Sequence, residues 1–119
     1  MNNKEWGQLY SRNGRRAVLM ARSRAKKKSI PFNIDYDYVL MLMPKDMIDI
    51  FGGQMRWKGE PDGSSVPSKQ SPSLDRIDPF KGYVKGNVQW LTQEHNLMKQ
   101  QFTHAQLIEK IQCLLRNLE

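Results

Sequence analysis

The chain has 119 residues, of which 39% are apolar and 26% charged, a composition typical of one globular domain and not of a disordered segment. Its formal net charge of +7 predicts a polyanionic partner such as nucleic acid. No apolar run is long enough to span a membrane, and the N-terminus lacks the apolar core of a signal peptide, so we expect a cytoplasmic protein with no membrane partner. The single cysteine, Cys113, excludes an internal disulfide and a zinc site built from several cysteines.

The first predicted element is a basic helix from about Asn13 to Lys28. Residues 12–28 contain no acid, and Ala17 and Leu19 among them favour helix. Pro31 predicts that the helix has ended before it. Because so many like charges repel one another unless a polyanion or counter-ions screen them, nucleic-acid contact is favoured over a purely solvated surface. The cations of this segment are Arg12, Arg15, Arg16, Arg22, Arg24, Lys26, Lys27 and Lys28.

The middle of the chain predicts a short helix, a tight turn and a loop. Asp35 is a suitable N-cap for a helix over Tyr36–Leu42. Gly52-Gly53 predicts a turn with strand-like flanks. Residues 58–73 are rich in Gly, Pro and Ser, which predicts an exposed loop.

A C-terminal amphipathic helix is predicted over about 103–118, with Thr103 as its N-cap. Apolar residues recur there at helical spacing, and we expect this stripe to pack on its own domain. Its members are Leu107, Ile108, Ile111, Leu114, Leu115 and Leu118.

Residues 71–100 are the most informative stretch and predict strand, loop, strand and helix. Leu74 and Ile77 are expected to anchor the first strand in the core, with Asp75 directed toward the helix. Gly82 and Gly86 are natural turn residues in the connecting loop. Asn87 follows them and can tie the loop together, because Asn side chains readily hydrogen-bond local backbone groups.

The second strand, from Val88 to Trp90, leads into a helix that Thr92 is expected to cap. At about 100° per residue, Asn96 and Lys99 share a face of this helix with Thr92, whereas His95 lies about a quarter-turn from Asn96. A strand carboxylate and a helix carboxamide brought together in this way offer two hard oxygen ligands. The pattern therefore predicts a binding site for one divalent cation between Asp75 and Asn96.

The ordered set Leu-Asp-x-Ile-Asp, Gly-Asn-Val-x-Trp and Asn-x-x-Lys resembles the HNH, or ββα-metal, endonucleases, particularly small phage-type members with a Ser-Leu-Asp-Arg-Ile-Asp motif. The close resemblance covers residues 71–100, and a looser one reaches back to the basic helix. It implies an α+β fold in one domain over residues 1–119, with a ββα-metal core, a basic N-terminal helix and a C-terminal amphipathic helix. It also implies a phage-encoded protein that acts inside a bacterial host.

The resemblance further implies a metal-dependent DNA endonuclease that nicks or cleaves DNA by phosphodiester hydrolysis. Asp75 and Asn96 correspond to the ligands of one Mg²⁺ or Mn²⁺ ion, and Asn87 to the residue that stabilises the loop. In this family the ion contacts the scissile phosphate and the departing 3′ oxygen, where it acts as a Lewis acid.

One position departs from the family pattern, because Arg76 stands where the general base is usually a histidine. A guanidinium cannot accept a proton near neutral pH, although it can clamp a phosphate or stabilise negative charge in the transition state. His95, Tyr83, Lys99 and a metal-activated water remain open as the base. We favour the water, with Arg76 and Lys99 as electrostatic helpers.

A second departure is the absence of the paired Cys-x-x-Cys knuckles that many relatives use to hold the hairpin. We therefore expect no structural zinc. The fold would depend on core packing instead, with Trp57, Trp90 and Phe80 as contributors.

The expected partner is DNA, double-stranded or branched, with Lys81 and Lys85 on the hairpin loop adding phosphate contacts. Two further partners remain as alternatives, namely a second copy of this chain in a homodimer and another phage protein. The alternative interpretation is a nucleic-acid-binding module that has an HNH scaffold but weak or no catalytic activity. Such a module would act as an accessory of phage genome processing or packaging. Arg76 is the residue that favours this alternative.

Overall fold

The computed structural model describes residues 1–58, 60 and 68–119. Within these residues the fold is α+β, which confirms the predicted class, and no helix among them is long and apolar enough to cross a membrane. Part of the predicted loop over 58–73 lies outside the described residues. The elements are helix α1 (Asn3–Lys28), helix α2 (Tyr36–Met41), a 3₁₀ turn (Ser68–Gln70), strands β1 (Pro72–Arg76) and β2 (Val88–Thr92), and helices α3 (Gln93–Lys99) and α4 (His104–Leu118).

Helix α1 begins ten residues earlier than the predicted start at Asn13, although its end at Lys28 agrees with the prediction. The reason is a capping box. The Asn2 side chain accepts a hydrogen bond from the Glu5 backbone N–H at 2.9 Å, and the Glu5 carboxylate accepts one from the Asn2 N–H at 3.2 Å. These bonds satisfy backbone donors that a helix start otherwise leaves exposed. Ser29 ends the helix in a left-handed conformation with φ of 54°.

The predicted cap of α2 is confirmed, because the Asp35 carboxylate accepts a hydrogen bond from the Tyr38 N–H at 2.8 Å. The helix ends at Met41, one residue short of the prediction. The turn at Gly52 is also present, with φ of 87° at that glycine. Its flanks are not strands, and a single antiparallel bridge joins Ile48 and Gln54.

Strands β1 and β2 form an antiparallel pair in which Asp75 lies opposite Gln89. The loop between them is tied by the Asn87 side chain. Its oxygen accepts from the Asp78 N–H at 2.9 Å, and its amide nitrogen donates to the Gly82 carbonyl at 2.9 Å. Gly82 passes so close to Pro31 that a Cβ atom there would collide with the Pro31 carbonyl group. The loop therefore has one well-defined path.

The core forms where the hairpin packs on the first two helices. Trp57 and Trp90 are buried with their ring centroids 5.8 Å apart in an edge-to-face arrangement, and the Trp90 indole donates to the Val39 carbonyl at 2.7 Å. The prediction that Phe80 contributes to the core is wrong, because this side chain is 81% exposed at the turn after Pro79. Ile77 is only half-buried.

Helix α4 differs from its prediction in packing, not in extent. Thr103 caps it as expected, with its hydroxyl accepting from the Gln106 N–H at 3.2 Å. Of the apolar stripe, only Leu107 is buried, so the expectation that the stripe packs on its own domain is wrong. The remaining members are exposed in this single chain, namely Ile108, Ile111, Leu114, Leu115 and Leu118.

Candidate active site

A cavity of about 770 Å³, here called the central cavity, lies between α1, β1 and α3. Helix α1 contributes Arg24 and Lys28 to its lining, β1 contributes Asp75 and Arg76, and α3 contributes Asn96. The predicted strand acid and helix amide therefore line the same cavity. Arg24 and Lys28 follow one another at a spacing of four, which places them on one face of α1.

The Asp75 carboxylate is buried and paired with Lys99. Lys99 is 0% exposed, and its ammonium lies 3.1 Å and 3.3 Å from the two Asp75 oxygens. The same ammonium donates to the Arg76 backbone carbonyl at 2.9 Å, and the Gln89 amide donates to Asp75 at 2.9 Å. Because a lysine is rarely buried unless it is paired, this ion pair is what keeps Lys99 inside the protein.

Asn96 is oriented by a neighbour on β1. Its amide nitrogen donates to the Ser73 hydroxyl at 2.7 Å, while its carbonyl oxygen has no partner among the described residues. A carboxamide oxygen and a carboxylate that line the same cavity are a donor set that suits Mg²⁺, which commonly keeps several waters and takes few protein ligands. The described residues contain no group of three His, Cys, Asp or Glu side chains that could hold a metal, so Asp75 and Asn96 could hold Mg²⁺ only with oxygens from water or substrate.

Arg76 supports the hairpin loop while it lines the cavity. Its Nη1 donates to the Pro79 carbonyl at 2.9 Å and to the Lys81 carbonyl at 3.2 Å. These bonds use Nη1 only, so the donors on Nε and Nη2 remain for a ligand. An anionic ligand in the cavity would thus meet a guanidinium that is already fixed in position.

Tyr83 connects this guanidinium to the basic helix. Its hydroxyl accepts a hydrogen bond from Arg24 Nε at 2.9 Å, and the Arg76 guanidinium lies 5.4 Å from its ring centroid. Tyr83 is buried, and its hydroxyl oxygen already accepts the Arg24 hydrogen bond. Tyr83 is predicted from sequence only as a candidate base, and its contact with Arg24 was missed because the two residues are 59 positions apart in the chain.

His95 does not line the central cavity. Its Nδ1 lies 2.8 Å from Asp49 Oδ2, so the imidazole contacts a second buried carboxylate. The cause is helical phase, because His95 is about a quarter-turn from Asn96. The prediction of His95 as a catalytic residue therefore has no support from its position.

Asp49 is the buried residue that sequence reasoning missed. Its carboxylate accepts from the backbone N–H groups of Gly53 at 2.7 Å, Thr92 at 2.9 Å and Phe51 at 3.0 Å. Burial alone would raise the pKa of Asp49, but the hydrogen bonds from Thr92, Gly53 and His95 hold it below its usual value. This cluster joins the glycine turn to the start of α3.

Of the cations predicted to contact nucleic acid, nine lie between Arg15 and Lys28 or on the hairpin loop, and these nine fall into two groups. Arg24 and Lys28 line the central cavity, whereas the other seven do not. Among the seven, Arg15 packs over the Tyr36 ring at 4.5 Å and Lys85 over the Tyr38 ring at 5.7 Å. The remaining five are exposed on α1 or on the hairpin loop, namely Arg16, Arg22, Lys26, Lys27 and Lys81.

Comparison with known proteins gives one informative match. No family-level sequence profile and no solved structure matches the chain. The chain is 28% identical over 96 residues to the uncharacterized 29.0 kDa protein in the dda-modA intergenic region of Enterobacteria phage T4. The match covers 81% of this chain but only 36% of the phage protein, so the chain spans about a third of the length of this relative.

Proposed function

We propose that the chain is a metal-dependent endonuclease of the HNH, ββα-metal type that hydrolyses phosphodiester bonds in DNA. The observation that carries the proposal is the central cavity, where the Asp75 carboxylate and the Asn96 carboxamide meet the cations of α1. Similarity to a phage T4 protein supports a phage-encoded protein acting in a bacterial host.

In this proposal each side chain of the cavity has a separate task. Asp75 and Asn96 hold Mg²⁺ or Mn²⁺, which when bound stabilises negative charge on the phosphate as a Lewis acid. The free donors of Arg76 hold a non-bridging phosphate oxygen, and Tyr83 keeps Arg24 directed at the same backbone. Among the described residues no imidazole lines the cavity, so the attacking water would give up its proton to solvent and not to a histidine there.

The test is nicking of supercoiled plasmid DNA with Mg²⁺ or Mn²⁺, with and without EDTA. Asn96→Ala removes one proposed ligand and only one hydrogen bond, so we expect nicking to fall at least about 100-fold while the protein stays folded. Asp37→Ala is the matched control, because Asp37 is exposed on α2 and lies outside the cavity. Equal nicking by wild type and Asn96→Ala would reject the assignment.

A second candidate is a nucleic-acid-binding module on the same scaffold with weak or no catalysis, as an accessory of phage genome processing or packaging. The Asp75–Lys99 ion pair favours it, since the acid needed for the metal already has a cationic partner. A gel shift with DNA and no nicking under any divalent metal would support this candidate over the nuclease.

A further inference from the structure

We propose that Lys99 is an internal counter-ion that makes divalent-cation binding depend on bound nucleic acid. In the free protein the Lys99 ammonium neutralises Asp75, and a cation is held at Asp75 and Asn96 only together with a phosphate oxygen. This inference rests on the proposed function, because it uses the same two ligands.

The first argument is the completeness of the Lys99 contacts. An ammonium has three N–H donors, and three acceptors lie within 3.3 Å of it: both Asp75 oxygens and the Arg76 carbonyl. With Lys99 fully buried, its charge is compensated inside the protein and not by water. The carboxylate therefore needs no metal to be stable, and a divalent cation must share it with Lys99.

The second argument is the charge of the cavity. Among the described residues that line it, Asp75 is the only acid, whereas Arg24, Lys28 and Arg76 are cationic. Lys99 adds a further positive charge behind Asp75. A divalent cation entering alone would meet a surplus of positive charge at short range, where the interaction is least screened. A phosphodiester brings the missing negative charge and supplies a hard oxygen ligand.

The third argument is thermodynamic reciprocity. If bound DNA raises the affinity for the cation, the cation must raise the affinity for DNA by the same factor. Such coupling keeps the site metal-free until a substrate is present. The shared phosphate oxygen alone gives some coupling, so a purely structural role for Lys99, as a contact that holds α3 against β1, predicts that the coupling is unchanged when the Lys99 charge is removed.

The experiment measures Mn²⁺ binding through paramagnetic broadening of the backbone amide NMR signals of Asp75, Arg76 and Asn96. These signals report on the protein site and not on Mn²⁺ bound elsewhere on the DNA. For wild type we expect the apparent Mn²⁺ affinity to rise at least about tenfold when a short non-cleavable duplex is added. For Lys99→Met we expect tighter Mn²⁺ binding than wild type without DNA, and a smaller gain when the duplex is added.

Lys110→Met is the matched control, since it removes the same charge from α4, away from the cavity. It should behave as wild type. Equal Mn²⁺ affinity of wild type with and without DNA would overturn the inference. If Lys99→Met does not fold, Lys99→Gln takes its place, because it removes the charge and keeps a hydrogen-bond donor for Asp75. A Lys99 variant with the wild-type gain in Mn²⁺ affinity on adding the duplex would overturn the inference.

Nicking by the same protein preparations separates the two proposals. A protein that nicks DNA but binds Mn²⁺ equally with and without the duplex contradicts only the role of Lys99. A protein that shows the coupling without nicking contradicts only the nuclease function. Absence of site-specific Mn²⁺ broadening in both states contradicts both.

Discussion

Helix α3 contributes a side-chain partner to each of two buried acids, and the two acids differ in which other groups donate to them. Asp49 pairs with His95 and also accepts from the backbone N–H groups of Gly53, Thr92 and Phe51. Asp75 pairs with Lys99 and accepts otherwise from the Gln89 side chain. Backbone donors are fixed by the fold, whereas side-chain donors can rotate away. The comparison indicates a structural role for Asp49, whereas Asp75 lines the central cavity and is held by side chains of the described residues, as its proposed ligand role requires.

The largest expected effect follows from removing the backbone-satisfied acid. Asp49→Ala leaves several buried N–H groups and His95 without their acceptor, so we expect a loss of roughly 3–5 kcal/mol in the free energy of unfolding. Urea denaturation followed by tryptophan fluorescence measures this loss. Asp37→Ala, an exposed acid on α2, is the control and should change stability little. A loss below about 1 kcal/mol for Asp49→Ala would contradict its structural role.

A smaller loss of stability is expected from breaking the Asp75–Lys99 ion pair, because the Gln89 amide still donates a hydrogen bond to Asp75. Lys99→Met leaves Asp75 buried with one hydrogen bond from Gln89, which we expect to cost about 2–3 kcal/mol. The double variant Asp75→Leu/Lys99→Met removes both charges together, so it should regain part of that loss, because no unpaired charge is left buried. Denaturation of the two variants gives the comparison. A double variant less stable than Lys99→Met alone would show that Asp75 contributes stability independently of Lys99.

The dependence of stability on pH gives a finer test of the same contrast. The pKa of Asp49 is lowered in the folded protein, so the native state favours its ionised form. Its contribution to stability is therefore present above the unfolded pKa near 3.8 and is lost as pH falls through the lower folded pKa. Unfolding measured at a series of acidic pH values should show a shallower loss for Asp49→Asn than for wild type. Asp37→Asn should keep the wild-type slope, and identical slopes for wild type and Asp49→Asn would contradict the assignment.

Local patterns predicted the parts of this architecture that depend on neighbouring residues. The caps at Asp35, Thr92 and Thr103 follow from side chains that bond to backbone groups three residues onward. The shared face of Asn96 and Lys99 follows from helical geometry alone. The early start of α1 could have been found in the same way, because its capping box is also local. The prediction was based on the cluster of cations instead, and these residues lie mostly in the C-terminal part of the helix.

Long-range partner choice could not be predicted in this way. The Asp49–His95 contact joins residues 46 positions apart, and nothing near either residue specifies the other. The exposure of Phe80 and of most of the α4 stripe likewise depends on which surfaces the rest of the chain offers. The buried state of Lys99 was missed for a related reason. A lysine at that helix position is ordinarily solvated, and only the approach of Asp75 and the Arg76 carbonyl makes burial favourable.

The smallest expected effect on stability concerns Tyr83, whose hydroxyl links the hairpin loop to Arg24 of α1. Tyr83→Phe keeps the ring but removes the acceptor of Arg24 Nε, so we expect a stability loss of about 1 kcal/mol and a few-fold loss of DNA affinity. The affinity falls because Arg24 must then be ordered by the ligand itself. Fluorescence anisotropy of a labelled duplex at fixed salt measures it. Tyr36→Phe is the matched control, since its ring packs under Arg15 and its hydroxyl has no partner among the described residues. Equal weakening by both variants would mean that the Tyr83 hydroxyl does not position Arg24 for DNA, and the basic helix would then bind DNA independently of the hairpin.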